Sequence, residues 1–166
     1  MSMPVVALIV VFALHLLVTL ALVVRVRELQ TMIVGEGLRA LPPAGTPIGP
    51  FEVTTPKGEV LNEVLLRDDT ILVGFFSPNC DWCEKARIAL LATPPSVPLL
   101  AFVRGDDADA EARTLRASLE QIGRVAYTHE GDGAYRAFQP TGFPSLYLVK
   151  NGLVASASHR LSDVAA

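Results

Sequence analysis

The sequence predicts an α/β domain with a mixed central sheet, preceded by one N-terminal transmembrane helix. Strand-like and helix-like segments alternate through the central part of the chain, and its last two strands are joined by an Asn-Gly turn. An apolar N-terminal stretch without charged residues predicts the transmembrane helix. The 166 residues suffice for one ordinary domain with a modest addition.

Composition excludes several functional classes. Hydrophobic residues make up 51% of the chain, charged residues 19%, and the mean hydropathy is +0.40, which is too apolar for a disordered protein. The net charge is −3, and the isoelectric point is near 5.6, so the chain lacks the basic footprint of a nucleic-acid-binding protein. We therefore expect no nucleic-acid partner.

Residues 1–24 carry no charged side chain, and we interpret them as a transmembrane anchor. A helix over Pro4–Val24 rises about 1.5 Å per residue and can cross the roughly 30 Å of a bilayer core. A cleaved signal peptide is the alternative, but no Lys or Arg precedes the apolar run, which also exceeds a usual signal core. His15 within it is better explained as a neutral ring that faces a partner helix or snorkels to the membrane surface than as a functional site.

The segment after the anchor predicts a connection to the folded domain. Arg25 and Arg27 end the apolar run, and residues 25–48 form a juxtamembrane helix extension followed by a spacer. The spacer includes LPPAGTPIGP, whose prolines and glycines favour an extended, semi-rigid chain. The domain is therefore expected to span residues 49–166.

The first elements of the domain lead to a buried central strand. Residues 51–53 read as a short edge strand, and residues 60–66 as a weak strand or a turn of helix. Residues 70–76, TILVGFF, are apolar throughout, which is typical of a strand buried on both faces. Helix 81–92 follows, with apolar residues at helical spacing at Cys83, Ala86, Leu90 and Leu91.

The remaining elements continue the alternation. A buried strand precedes a helix with an acidic start and leucines four residues apart, and a short strand and a short helix lead to the final hairpin. The predicted ranges are 99–103 (strand), 107–121 (helix), 125–127 (strand), 134–138 (helix), and 145–149 with 153–157 (hairpin). This order implies a mixed sheet with helices on both faces.

Cys80-Asp81-Trp82-Cys83 lies where the buried strand gives way to a helix. Free backbone N–H groups at a helix start stabilise a thiolate, so we expect a lowered pKa for Cys80, which would be the attacking sulfur. Cys83 lies one turn further on and could attack a mixed disulfide at Cys80. The alternative to redox chemistry is that the two cysteines form a surface disulfide without redox activity or remain as two reduced thiols in the core.

Two other functions fit a pair of cysteines. Two thiolates can carry copper, and the domain could also act as a non-catalytic assembly factor. A four-ligand zinc site is not expected, because no second CxxC exists and His129 and His159 lie in unrelated segments. The acidic loops lack calcium-site spacing. We therefore predict no metal site.

The motifs FFSPNCDWCEKA and TGFPSLYLVKNG resemble the thioredoxin-like family. The start of the domain, GPFEVTTPKGEVL, resembles the membrane-anchored TlpA-like branch, and the layout of anchor, arginines and spacer resembles the MauD proteins of methylamine dehydrogenase maturation. The resemblance spans residues 49–157 and implies a three-layer thioredoxin-like fold. It also implies a cis peptide bond between Phe143 and Pro144, whose backbone docks an extended substrate beside Cys80.

The sequence departs from the family pattern at two places. Gly74 occupies the position of a buried carboxylate that helps to move the proton of the second thiol, so Glu84, water or no group takes that role. The closing helix after the last strand is absent or very short. We expect a partner or the spacer to cover the exposed face of the sheet.

Residues between and after the cysteines are expected to tune the thiol. Asp81 competes with the Cys80 thiolate for the helix-start amides and should make the couple more reducing, whereas Lys85 opposes this effect. Trp82 is either a platform for substrate or a surface packing residue.

The sequence thus predicts a membrane-anchored thiol-disulfide oxidoreductase that reduces or isomerises disulfides of a cysteine-containing client. No cofactor other than the Cys80–Cys83 pair is needed, and a membrane electron donor could regenerate the dithiol. Arg25 and Arg27 favour a cytoplasmic domain by the positive-inside rule. The resemblance favours an extracytoplasmic one, which we adopt.

Overall fold

The computed structural model describes residues 12–13, 15–21 and 40–164. The chain divides into two compact units, Met1–Arg39 and Ala40–Ala166. The described residues of the first unit are helical, and Thr19 Oγ1 donates a hydrogen bond of 2.8 Å to the His15 carbonyl. Across the described ranges, no helix has both the length and the apolar character to cross a membrane. Most of the predicted anchor and residues 25–39 lie outside these ranges, so the transmembrane helix stays a prediction.

The second unit is built on a five-stranded mixed sheet. The strands of this unit are β1 (Glu52–Thr54), β2 (Val60–Asn62), β3 (Thr70–Phe76), β4 (Leu99–Arg104), β5 (Arg124–Thr128), β6 (Ser145–Lys150) and β7 (Leu153–Ser158). The strand order of the five-stranded sheet is β5-β4-β3-β6-β7. Its helices are α1 (Asp81–Ala92), α2 (Ala110–Leu119) and α3 (Gly133–Phe138), with 3-10 turns at Glu63–Leu66 and Leu161–Asp163. The predicted order of strands and helices is confirmed.

The central strand β3 pairs parallel with β4 and antiparallel with β6. Residues 71–76 are all buried, as the uninterrupted apolar run predicts. Strand β5 adds to β4 in parallel, and β7 adds to β6 antiparallel. The Asn151-Gly152 turn has positive φ at both residues, 53° and 74°, which the predicted two-residue hairpin requires.

Helices cover both faces of the sheet and give the predicted three layers. One core cluster joins the sheet to α1 and α2 through apolar side chains such as Leu90 and Leu115. The other joins the opposite face to α3 and the β1–β2 hairpin. This second core is rich in aromatic rings, with Phe75 and Phe102 stacked at a centroid distance of 4.8 Å.

The short edge strand expected at residues 51–53 forms one residue later, as β1. Strand β1 pairs only with β2, in a separate two-stranded antiparallel sheet with Val53 opposite Leu61. Phe51 and Leu61 are both buried in the second core cluster. The β1–β2 hairpin thus covers a face of the main sheet, and its apolar side chains are buried against that face.

The proline-rich stretch that we interpret as a spacer contacts the domain along β7. The amide of Gly45 donates to the Val154 carbonyl at 2.8 Å, and the Val154 amide donates to the Thr46 carbonyl at 2.9 Å. Ile48 packs against the second core cluster. Residues 40–48 therefore belong to the same compact unit as the sheet, and they pair with the backbone of its outer strand.

The segment after β7 packs on the opposite face. Leu161 lies against the first core cluster, and Val164 is a buried member of it, only 2% exposed. A short 3-10 turn and the buried Val164 side chain thus occupy the region where the sequence suggests that a closing helix is missing. Residues 45–48 of the spacer pair along the edge of β7 instead, so residues 161–164, and not this part of the spacer, pack on that face.

Candidate active site around Cys80 and Cys83

The two cysteines lie at the carboxyl end of β3, where the chain enters α1. Cys80 is the N-cap of α1, with an extended backbone, and its Sγ accepts a hydrogen bond of 3.2 Å from the Cys83 amide. The two sulfurs form a disulfide, with the Cα atoms 5.2 Å apart. A free amide of the helix start, that of Cys83, therefore points at the Cys80 sulfur, as the sequence predicts.

The two sulfurs differ in access. Cys80 is half-buried, whereas Cys83 is 1% exposed and belongs to the first core cluster. The Cys83 Sγ accepts a hydrogen bond of 3.5 Å from the Ser77 amide. Only Cys80 is open to a large partner, so the geometry separates an outer sulfur from an inner one.

A loop that is distant in sequence meets Cys80. The Cys80 Sγ lies 3.5 Å from the Phe143 carbonyl oxygen, and in the reduced protein the thiol can donate to it. The peptide bond between Phe143 and Pro144 is cis, as the resemblance implies. The docking loop, which we define as residues 141–145, is braced by a 2.7 Å hydrogen bond from Ser145 Oγ to the Gly142 carbonyl.

Trp82 and Lys85 form a pair beside the disulfide. The Trp82 side chain is 62% exposed, and the Lys85 ammonium lies 4.4 Å from the centre of its ring, a cation–π distance. Lys85 thus lies over the indole of the CxxC insert. The indole packs against Lys85 and is otherwise largely exposed, and its role as a platform for substrate stays a prediction.

Glu84 is held by Arg87 one turn along α1. The Arg87 Nε donates to Glu84 Oε2 at 2.9 Å, a second guanidinium nitrogen contacts Oε1, and Arg87 Nη1 donates to Ser118 Oγ at 2.7 Å. The hydrogen bond from Arg87 lowers the pKa of the Glu84 carboxyl below its usual value. An ionised carboxylate bound in this way is a weak candidate for carrying the proton of Cys83.

A cleft of about 580 Å³ opens beside both cysteines, between the start of α1 and α2. The charged side chains at its wall are Asp81, Glu84, Arg87 and Glu111. Sequence reasoning did not select Arg87 or Glu111. The spacing of Glu84 and Arg87, three residues apart on a helix, is a signal that could have found the first of them. The position of Glu111 depends on the packing of α2 against α1.

The space beside Gly74 is filled by an aromatic ring. A Cβ atom at Gly74 would lie 2.5 Å from the fully buried Phe76 ring and 3.2 Å from a Leu146 methyl. No side chain larger than hydrogen fits there without moving the core. The family position of a buried carboxylate is thus occupied by apolar packing.

The two histidines of the domain, His129 and His159, contact different loops. His129 Nδ1 lies 3.7 Å from an Asp132 carboxylate oxygen, whereas His159 contacts the docking loop. Within residues 12–13, 15–21 and 40–164, no three His, Cys, Asp or Glu side chains are grouped to hold a metal ion.

Comparison with known proteins gives matches in structure. No sequence profile of a protein family matches the chain, and no curated protein matches it in sequence. The thioredoxin domain of a thiol-disulfide oxidoreductase from Bacteroides vulgatus superposes with a TM-score of 0.61 at 17% identity, over 74% of this chain and 93% of that one. A thiol:disulfide interchange protein from a Bacteroides species gives a TM-score of 0.57 at 17% identity, over 71% and 82%.

A secreted disulfide oxidoreductase of Mycobacterium tuberculosis, homologous to DsbE of E. coli, gives a TM-score of 0.52 at 15% identity, over 70% of this chain and 87% of that one. These likenesses show the fold. The chain has a thioredoxin-like fold of the kind found in thiol-disulfide oxidoreductases, and it carries a CxxC disulfide at the start of the helix that follows the central strand.

Proposed function

We propose that this protein is a membrane-anchored thiol-disulfide oxidoreductase that reduces or isomerises disulfides in extracytoplasmic client proteins. The observation that carries the proposal is the arrangement of the two sulfurs. Cys80 is accessible, caps a helix and lies beside the Phe143 carbonyl, while Cys83 is buried one turn behind it. This is what a nucleophile and a resolving thiol require.

In the reducing direction, the Cys80 thiolate attacks one sulfur of a client disulfide. A mixed disulfide forms, and the other client sulfur leaves as a thiolate. The Cys83 thiolate then attacks the Cys80 sulfur, which releases the second client thiolate and forms the Cys80–Cys83 disulfide. Two electrons pass to the client, and a membrane dithiol donor restores the pair. No separate cofactor takes part.

Cys83 must lose a proton before it attacks. Phe76 fills the space of a carboxylate at Gly74, and Glu84 is bound to Arg87, so we propose that water in the adjacent cleft accepts the proton. The Ser77 amide, 3.5 Å from the Cys83 sulfur, would stabilise the resulting thiolate.

The location and the client are further parts of the proposal. The uncharged run over Pro4–Val24 supports an anchor, and the disulfide chemistry of the domain supports an extracytoplasmic position, against the weak opposing bias of Arg25 and Arg27. The resemblance in layout to MauD proteins supports a client that is a specific enzyme undergoing maturation.

Equilibration with glutathione tests the proposed redox activity. We expect the Cys80–Cys83 pair to reduce and reoxidise reversibly, and brief alkylation of the reduced protein to modify Cys80 about tenfold faster than Cys83, because only Cys80 is accessible and close to the helix-start amides. Peptide mapping by mass spectrometry measures both results. Preferential labelling of Cys83, or a pair that never exchanges with glutathione, contradicts the proposal.

Replacing Asp81 by asparagine tests the direction of the couple. We expect the pKa of the Cys80 thiol to fall by about half a pH unit or less and the reduction potential to become less negative, because an exposed carboxylate next to the thiolate is removed. Thiolate absorbance and glutathione equilibration measure the two quantities. Asp68→Asn, an equally exposed change just before β3 at the other end of the strand, is the matched control. An unchanged or more negative potential in Asp81→Asn removes the electrostatic case for a reductant.

A further inference from the structure

The docking loop hydrogen bonds to a residue that follows the last strand of the sheet. Strand β7 ends at Ser158, which pairs with Leu146 of β6. The next residue, His159, places its ring against the loop instead of continuing the strand pairing. Its Nδ1 lies 2.7 Å from the Pro144 carbonyl oxygen, and its Nε2 lies 3.4 Å from Thr141 Oγ1.

The chemistry of the two contacts fixes the hydrogens on the ring. A carbonyl oxygen can only accept, so Nδ1 must carry the hydrogen that it donates to Pro144. In the neutral ring, Nε2 then accepts from the Thr141 hydroxyl. The imidazole therefore bridges two residues of the docking loop, one on each side of Phe143. Its edge also faces Gly142, where an added Cβ would lie 3.5 Å from the His159 Cε1.

We propose that His159 is a positioning residue that holds the docking loop in place for the client. This proposal rests on the proposed function. In it, His159 keeps the Phe143 carbonyl beside the Cys80 sulfur, at the observed distance of 3.5 Å. The Pro144 carbonyl follows the Phe143 carbonyl in the chain, and His159 also contacts Thr141, so the imidazole restrains the loop on both sides of Phe143. His159 itself touches neither sulfur and acts through the loop.

The contact at Nδ1 makes the proposal specific. An asparagine amide nitrogen occupies nearly the same position as Nδ1 of a histidine, one bond beyond Cγ, and can donate the same hydrogen bond. His159→Asn should therefore preserve the contact to Pro144, while His159→Ala removes it. His129→Ala is the matched control, because His129 is an exposed histidine whose ring lies near Asp132 of another loop.

The test uses the full chain, purified in detergent, and two disulfide probes. One is a peptide with an internal disulfide, which needs a docking surface, and the other is 2-hydroxyethyl disulfide, which is too small to need one. For His159→Ala we expect KM for the peptide to rise about fivefold, equivalent to about 1 kcal/mol for one lost hydrogen bond, with kcat almost unchanged. The rate with the small disulfide should change much less than KM for the peptide, and His159→Asn should restore KM.

Hydrogen exchange of the peptide covering residues 141–147 reports on the loop without any client. We expect faster exchange in this peptide for His159→Ala and protection close to wild type for His159→Asn. Equal losses with both disulfide probes, an asparagine variant no better than alanine, or unchanged exchange overturns the positioning role. If the wild-type chain does not reduce the peptide disulfide, the proposed function fails, and the exchange experiment still decides whether His159 holds the loop.

Discussion

Replacing Cys80 by serine is expected to reduce disulfide exchange with a peptide disulfide to the uncatalysed rate. The serine hydroxyl stays protonated at neutral pH and cannot form the mixed disulfide, so no part of the catalytic cycle remains. The rate of peptide disulfide reduction, with a dithiol as the electron source, measures the effect. Circular dichroism should show an intact fold, because the lost disulfide joins residues only three positions apart in sequence and constrains the unfolded chain little.

The same variant distinguishes the alternative functions. A non-catalytic assembly factor would keep its client-dependent activity without Cys80, and a copper carrier would lose metal in proportion to the missing thiolate. Cys83→Ser is the matched control, since it removes the inner sulfur but leaves an accessible nucleophile that can still be alkylated. Retention of catalysed exchange by Cys80→Ser contradicts the role that we assign to Cys80.

Placing an aspartate at Gly74 is expected to lower the free energy of unfolding by about 3 kcal/mol or more. The new Cβ would lie 2.5 Å from the Phe76 ring, which is fully buried and has no free space to enter, and the carboxylate would be buried without a partner. Chemical denaturation followed by circular dichroism measures the loss. The substitution should not make the protein a faster reductant, although it places a carboxylate where the resemblance to the thioredoxin-like family implies one.

A double-mutant cycle shows whether Phe76 is the cause. Gly74→Ala alone should cost about 1–3 kcal/mol, and combining it with Phe76→Leu should cost less than the sum of the two single variants. Additive losses would mean that the Phe76 ring does not limit the space at Gly74.

The central part of the fold could be predicted because its signals are local. The apolar run of β3 and the helical spacing after Cys80 each lie within one element, and the bounds of β3 and α1 agree with the sequence analysis. The Asn151-Gly152 turn is likewise a two-residue signal. By contrast, residues 45–48 carry little periodicity, and their place depends on pairing with β7, about a hundred residues further along the chain.

In the candidate site, too, the features with a local sequence signal could be predicted, and those that depend on long-range packing could not. Cys80 and Cys83 could be selected from spacing and from their place at a helix start. The Phe143 carbonyl, 63 residues away from Cys80, was placed beside it only through the resemblance, since no local pattern links the two. The Phe76 ring beside Gly74 and the His159 ring at the docking loop are long-range packing results, which a single sequence does not encode in any short motif.

The direct test of the proposed mechanism is trapping of the mixed disulfide. With Cys83→Ala, an oxidised client should accumulate as a covalent complex with Cys80, because the sulfur that resolves the complex is absent. With Cys80→Ala, no complex should accumulate, because the remaining sulfur is buried. Non-reducing electrophoresis and mass spectrometry of the linked peptides identify the bond. A complex linked through Cys80 in Cys83→Ala alone is the result that we expect, and equal trapping by both variants would contradict the division into nucleophile and resolving thiol.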